Sequence, residues 1–152
     1  MLHTDTVRPE WIDYNGHLSE AYYVLVFGDA TTALIERTGM DAAYRESTDC
    51  SLYTVEAHVR YLREVGPDAQ LQVHTRVLGR DAKRLRLWHE LLVGGRLAAT
   101  EELMCLHVGR EGALPFPDGV AAALDALAEP GAGEPEHAGR AIAPVGEEGT
   151  VA

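Results

Sequence analysis

The sequence predicts an α+β fold in which one long helix is wrapped by a five-stranded antiparallel sheet. Three observations predict it. Ser19 to Gly39 reads as a single helix with a start and a stop written at its ends. After Cys50 the hydrophobic period changes to two and stays there through Val108. Glycine-rich turns divide that stretch into four alternating runs.

Taken in order, Leu2 to Arg8 alternates and stops at Pro9, a short first strand. The polar turn Asp13-Tyr14-Asn15-Gly16-His17 follows and feeds the helix. Ser19 is placed to cap it through its side chain, Glu20 sits in the first turn, and Gly39 supplies a left-handed stop. Ala21 to Phe27 leaves no polar face, the pattern of a helix enclosed on most sides. At 1.5 Å per residue its roughly twenty residues span about 30 Å. Gly28 in mid-helix is expected to mark a close contact with the sheet, since glycine there otherwise costs about 1 kcal/mol against alanine.

Met40 to Cys50 reads as a connection with a short helix around Ala42 to Arg45. The strands are expected over Tyr53 to Val65, Leu71 to Leu78, Leu85 to Val93 and Leu97 to Val108, joined by Gly66-Pro67-Asp68, Gly79-Arg80-Asp81 and the hairpin signal Gly94-Gly95. Val55, Ala57, Val59 and Tyr61 share one face of the first, and Leu97, Ala99, Glu101, Leu103 and Cys105 one face of the last. Joined by tight turns, the four make an antiparallel meander with one dry face. Asp118 is placed to cap a last short helix through Leu127. Residues 1–128 form the domain; 129–152, rich in Gly, Pro, Ala and Glu, read as a flexible tail or a strap on a neighbour. One helix does not cover such a sheet, and its two edges call for a partner copy, giving a homodimer or a dimer of dimers.

A chain of 152 residues holds one domain with a real core. A net charge of −11 argues against nucleic acid. No apolar run approaches the ~20 residues a bilayer needs, so no membrane partner is expected. Cys50 and Cys105 have no metal-ligand spacing and read as reduced thiols in a cytoplasm, with neither a metal nor a cofactor implied. Arg60 to Arg86 nevertheless carries seven basic residues and three acids, which either hold a polyanionic small ligand or form solvated strand faces. The chemistry is expected where Asp13, Asn15 and His17 meet the open amides of the helix start, since such amides bind oxyanions.

The residues D-Y-N-G-H-L-S-E-A-Y-Y, Asp13 to Tyr23, resemble the opening of hotdog-fold acyl-CoA thioesterases of the 4-hydroxybenzoyl-CoA thioesterase type. Val7 to His17, Val26 to Thr31, Tyr53 to Leu62, Val77 to Leu85 and Ala138 to Ile142 resemble the betainyl-CoA thioesterases of carnitine breakdown. The resemblance implies a hotdog fold and hydrolysis of betainyl-CoA to glycine betaine and CoA. A thioesterase for aryl- or fatty acyl-CoA and a non-catalytic acyl-CoA-binding module are the alternatives. In the catalytic reading Asp13 attacks the carbonyl or activates water, amides from Gly16 to Glu20 receive the oxyanion, His17 orients, and Asn15 fixes the turn or the water. Tyr23 stands at the family's tyrosine position. A trimethylammonium acyl group calls for aromatic faces and a carboxylate, for which Trp11, Tyr14, Tyr53, Trp88 and Glu56 are available. Arg60, Arg63, Lys83, Arg84 and Arg86 are the candidates for the CoA phosphates.

Overall fold

The computed structural model describes residues 1–145. The chain runs β1 (Leu2–Thr6), a single 3-10 turn (Pro9–Trp11), α1 (Glu20–Arg37), α2 (Ala42–Thr48), β2 (Ser51–Tyr61), β3 (Gln70–Arg80), β4 (Arg84–Val93), β5 (Arg96–Gly109), β6 (Gly112–Ala113) and α3 (Asp118–Leu127). The strands form one antiparallel sheet in the order β1-β3-β4-β5-β2, with the two-residue β6 paired to β5. This is the expected helix-and-sheet class, with one change of topology. Only β3, β4 and β5 form a meander; β2 crosses to the far edge and pairs with β5. Among the described residues, its eleven residues therefore have a partner strand on one side alone.

Helix α1 is seated on the sheet by one face. Val26, Phe27, Ala30 and Leu34 are fully buried, at the helical spacing that builds a single stripe. The first three pack with Leu71, Val73, Leu91 and Ala99. Leu34 packs with Leu85, Leu87, Leu103 and Cys105, where Val120 and Leu124 of α3 close the far end. His89 crosses between these layers: Nε2 lies 2.9 Å from Oγ1 of Thr31 on α1, and Nδ1 lies 2.8 Å from Oγ1 of Thr75 on β3. Burial pushes this imidazole down to about 3, so it is neutral there.

Several local expectations change. The helix is not enclosed: Val24 and Leu25 are more than two-fifths exposed, and Gly28, beside them, is exposed and touches no other element. Ser19 is the N-cap residue but makes no side-chain cap bond, and Asp118 lies inside α3 behind Pro117 rather than capping it. Helix α2 runs on to Thr48, with Asp41 accepting the amide of Tyr44 as its cap. Strand β2 ends at Tyr61, and a bulge between Thr54 and Glu56 leaves Val55 56% exposed, outside the dry face.

The stretch from Glu129 lies on this chain's own sheet, across the face away from α1. Arg76 pairs with Glu129 at 3.5 Å and donates to the Gly133 carbonyl at 2.9 Å. Arg86 donates to both Glu134 carboxylate oxygens at 2.7 and 3.0 Å, and the Gly139 amide donates to Glu102 at 2.6 Å. Trp88, whose cross-strand neighbours are Arg76 and Glu102, is 2% exposed on that same side. The last part of the expected tail, 146–152, lies outside the described residues.

Truncating Leu34 to alanine removes a side chain shared by α1, the sheet and α3, and is expected to cost about 2–5 kcal/mol. Denaturant melts of Leu34→Ala check this; a loss under 1 kcal/mol would mean that the two ends of the core are not coupled through it.

Candidate active site

A small loop carries the polar turn to the mouth of α1. Ile12 and Leu18 pair as an isolated antiparallel bridge, with Asp13 donating its amide to the His17 carbonyl and Ser19 to the Trp11 carbonyl, each at 2.9 Å. Gly16 closes the loop with φ +81°, a left-handed conformation that side chains resist, and donates to the Asp13 carbonyl at 3.0 Å. Leu18 anchors the loop by donating to Val65 at 2.8 Å, so the helix start is tied to the β2–β3 connection. The Asp13 side chain accepts the Asn15 amide at 2.8 Å through Oδ1.

These pairings spend amides that the sequence left open. Those of Gly16, Leu18 and Ser19 are used, whereas those of His17 and Glu20 take part in no backbone bond among the described residues. Because Ser19 leaves the first turn uncapped, the positive end of the helix is open.

Asp13, Asn15, His17 and Glu20 share one cavity of about 810 Å³ with Leu18, Tyr23, Tyr61, Leu62, Arg63 and Glu64. Tyr23 donates its hydroxyl to the Arg63 carbonyl at 3.1 Å, and its ring meets that of Tyr61 edge-on at 5.3 Å. His17 Nε2 lies 3.4 Å from a Glu64 carboxylate oxygen. Burial raises the Tyr23 phenol above its ordinary value, a hydrogen bond with the Val65 backbone pulls it back, and the charges of Glu64, Tyr61 and Asp13 push the same way as burial. Burial also raises Tyr61, with the charges of Glu20 and Glu101 adding to it.

The other residues singled out by sequence lie elsewhere in the chain. Trp11 is buried, stacked on Tyr22 at 5.4 Å with the Arg8 guanidinium 4.7 Å from its ring. Tyr14 is 97% exposed at the turn tip, and Tyr53 is 58% exposed on the β2 edge. Trp88 is on the opposite face of the sheet, shut off by the strap. Glu56 lines a separate cavity of about 220 Å³ with His58, Arg86, Glu102 and Arg140. Of the basic residues only Arg63 lines the main cavity; Arg60 lines an adjoining one of about 340 Å³ that shares Tyr61 and Leu62 and also holds Arg140. Lys83 and Arg84 sit at the opposite end of the sheet, bonded to the Ala113 carbonyl and to Asp81, and Arg86 is held by Glu102 and Glu134.

Sequence reasoning missed Tyr61, Glu64 and Arg140, and passed over Glu101. The alternation puts Tyr61 with Val55, Ala57 and Val59 on one strand face, which marks it as a packing residue. Glu101 had a signal: it is the one carboxylate in the dry-face set of β5. It is buried to 3%, and burial alone raises its carboxyl to about 7.

The comparisons with known proteins fit this geometry. Residues 7–124 match the model of the Thioesterase-like superfamily. A betainyl-CoA thioesterase of Pseudomonas aeruginosa is 45% identical over 127 residues, which is 81% of this chain and 80% of that one. An L-carnitine dehydrogenase/betainyl-CoA thioesterase of Agrobacterium fabrum is 46% identical over 93% of this chain, which spans 30% of that longer protein. A Staphylococcus aureus protein solved in complex with CoA superposes with a TM-score of 0.88 at 30% identity, covering 94% of both chains. A putative thioesterase from Pseudomonas putida superposes at 0.83 with 42% identity, covering 93% of this chain and 94% of that one.

The raised Glu101 carboxyl makes stability depend on pH with a definite sign. Between the ordinary value of 4.5 and about 7 the folded chain holds a proton that the unfolded chain has lost. The stabilisation is therefore full below 4.5 and is lost as pH rises through 7. Glu101→Gln removes this term, so its melting temperature relative to wild type is expected to rise from pH 5 to pH 8, by the equivalent of about 2–3 kcal/mol. A difference that stays constant with pH would show that the carboxyl is not perturbed.

Proposed function

This chain belongs to the thioesterase-like superfamily, and from that premise we propose that it hydrolyses betainyl-CoA to glycine betaine and free CoA. The observation that carries the proposal is that the Asp13 carboxylate and the uncapped first turn of α1 open into one cavity. A thioester placed there meets a carboxylate on one side and unspent amides on the other. Asp13 either attacks the carbonyl carbon or draws a proton from the water that does. The electrons displaced from the carbonyl settle on oxygen, where the amides of Glu20 and His17 receive them. As the carbonyl re-forms, the C–S bond breaks and the CoA thiolate leaves. It takes up the proton that Asp13 drew from water or, after direct attack, leaves an Asp13 anhydride that a water then hydrolyses to glycine betaine. Asn15 holds Asp13 through its amide, and Gly16 allows the turn that brings the two together.

The charge of the cavity supports a cationic acyl group over an aryl or fatty one. Asp13, Glu20 and Glu64 stand against Arg63 alone, with the two tyrosine rings as the aromatic part of the wall. The CoA phosphates are assigned to Arg63, Arg60 and Arg140 at the adjoining cavity. This draws the Ala138 to Ile142 segment into substrate binding.

The working unit is a homodimer formed through β2. Its unpaired edge with Tyr53 and Val55 exposed, and the exposed Val24 and Leu25 on α1, are surfaces of the kind a second copy covers. Buried free thiols at Cys50 and Cys105 suit a reducing cytoplasm, and no helix among the described residues is long and apolar enough to cross a membrane.

Free-thiol release from betainyl-CoA, acetyl-CoA and benzoyl-CoA tests the proposal. Betainyl-CoA is expected to be turned over fastest, and Asp13→Asn to lower kcat by about 10²–10⁴-fold. Equal rates on the three acyl groups would discard the substrate, and an active Asp13→Asn enzyme would discard the carboxylate.

A further inference from the structure

Glu101 is out of place for a structural residue. Its strand neighbours on the α1 side of the sheet are Ala99 and Leu103, both buried, with Cys105 one step further. No hydrogen bond or ion pair engages its carboxyl among the described residues. Taking a carboxylate out of water without a partner costs several kcal/mol, and an apolar side chain of similar size at this position would avoid that cost. A buried, unpaired acid behind a cavity wall is a mark of use rather than of packing.

Its position says what that use is. Glu101 pairs across the strands with Val59, and Tyr61 pairs with Ala99. Tyr61 is thus the diagonal neighbour of Glu101 on β2, within reach of a long side chain. The Tyr61 ring meets Tyr23 edge-on, and both line the cavity that holds Asp13. Glu101 therefore stands behind the aromatic wall of the reaction cavity, next to Tyr61, whose phenol is raised in part by the Glu101 charge. The other groups around it leave that charge uncompensated: on β4 the facing residue is neutral His89, on β5 the thiol Cys105, on β2 the phenol Tyr61, and α1 contributes Glu20 and Tyr23. Aromatic rings with an unpaired carboxylate are the combination that recognises a quaternary ammonium, which offers no hydrogen to donate and is held by charge and by π faces.

We propose that the rings of Tyr23 and Tyr61 form the subsite for a fixed positive charge on the acyl group, and that Glu101, buried behind Tyr61, is the positioning residue whose charge separates cationic from neutral acyl groups. The inference rests on the thioesterase reading above and adds to it the residue that sets the acyl preference. Tyr23 and Asp13 line the same cavity, and the charge of Asp13 is felt at the Tyr23 hydroxyl. Betainyl-CoA carries its cation one methylene from the thioester carbonyl, so a thioester held at Asp13 presents that cation inside the cavity that Tyr23 and Tyr61 line.

The test compares betainyl-CoA with its neutral isostere 3,3-dimethylbutanoyl-CoA, in which carbon replaces the nitrogen. Wild type is expected to favour the cationic substrate in kcat/KM, and Glu101→Gln to reduce that preference about 10- to 100-fold, the range of a desolvated cation–π and charge contact. A common loss on both substrates, or an unchanged ratio, overturns the inference while leaving the thioesterase reading intact. Wild type that hydrolyses neither substrate overturns both. Wild type alone gives a second readout, independent of how well the variant folds. KM for betainyl-CoA falls as pH rises through the ionisation of Glu101, while KM for the isostere does not follow, and parallel profiles overturn the subsite.

Discussion

The seating of one face of α1 on a sheet five strands wide is the constraint from which the rest of this molecule follows. Val26, Phe27, Ala30 and Leu34 give the helix its hold, and His89 pins it between Thr31 and Thr75 with both ring nitrogens engaged. A buried imidazole satisfied on both sides fixes rotation and register in a way that apolar contacts alone do not. With the helix so fixed, its first turn has to lie beside the β2–β3 connection. The bond from Leu18 to Val65 holds it there. The cavity is the space left between that first turn and the end of β2.

The arrangement leaves polar groups unused at one place. Ser19 does not cap, the amides of His17 and Glu20 are unspent, and a carboxylate sits across from them. A helix start built for stability alone would spend these groups on itself. What stability loses there leaves the helix start open to a negative charge, which is what the proposed reaction needs at that point.

Much of this was legible in the sequence. Glycines at the hairpin and the polar turn, the period of two, and the stripe on α1 fix the elements and their order, because each depends on residues close in the chain. Asp13, Asn15, His17, Glu20, Tyr23 and Arg63 do gather in one cavity. What the sequence did not reveal depends on partners far along the chain. Nothing local in Ser51–Tyr61 says that it will pair with β5 rather than β3, so the expected meander is one strand longer than the observed one. The bulge at Val55 shifts the register by a single residue, which only the partner strand reveals. Val24 and Leu25 on the exposed side of α1 are as apolar as its buried residues, so residue type alone does not mark them as exposed. Trp88, Lys83 and Arg84 had the right chemistry at the wrong end or face of the sheet, and Tyr61 entered the site because a strand end happens to fall beside the helix start.

The two margins of the sheet are unequal. β1 is five residues long and carries Asp5, which pairs with Arg8 just beyond the strand at 3.8 Å, whereas β2 has eleven residues with Tyr53 and Val55 exposed. A ribbon with two adhesive borders propagates without limit. One with a single such border offers it to one partner, so two copies that met through β2 would close as a pair rather than extend as a filament.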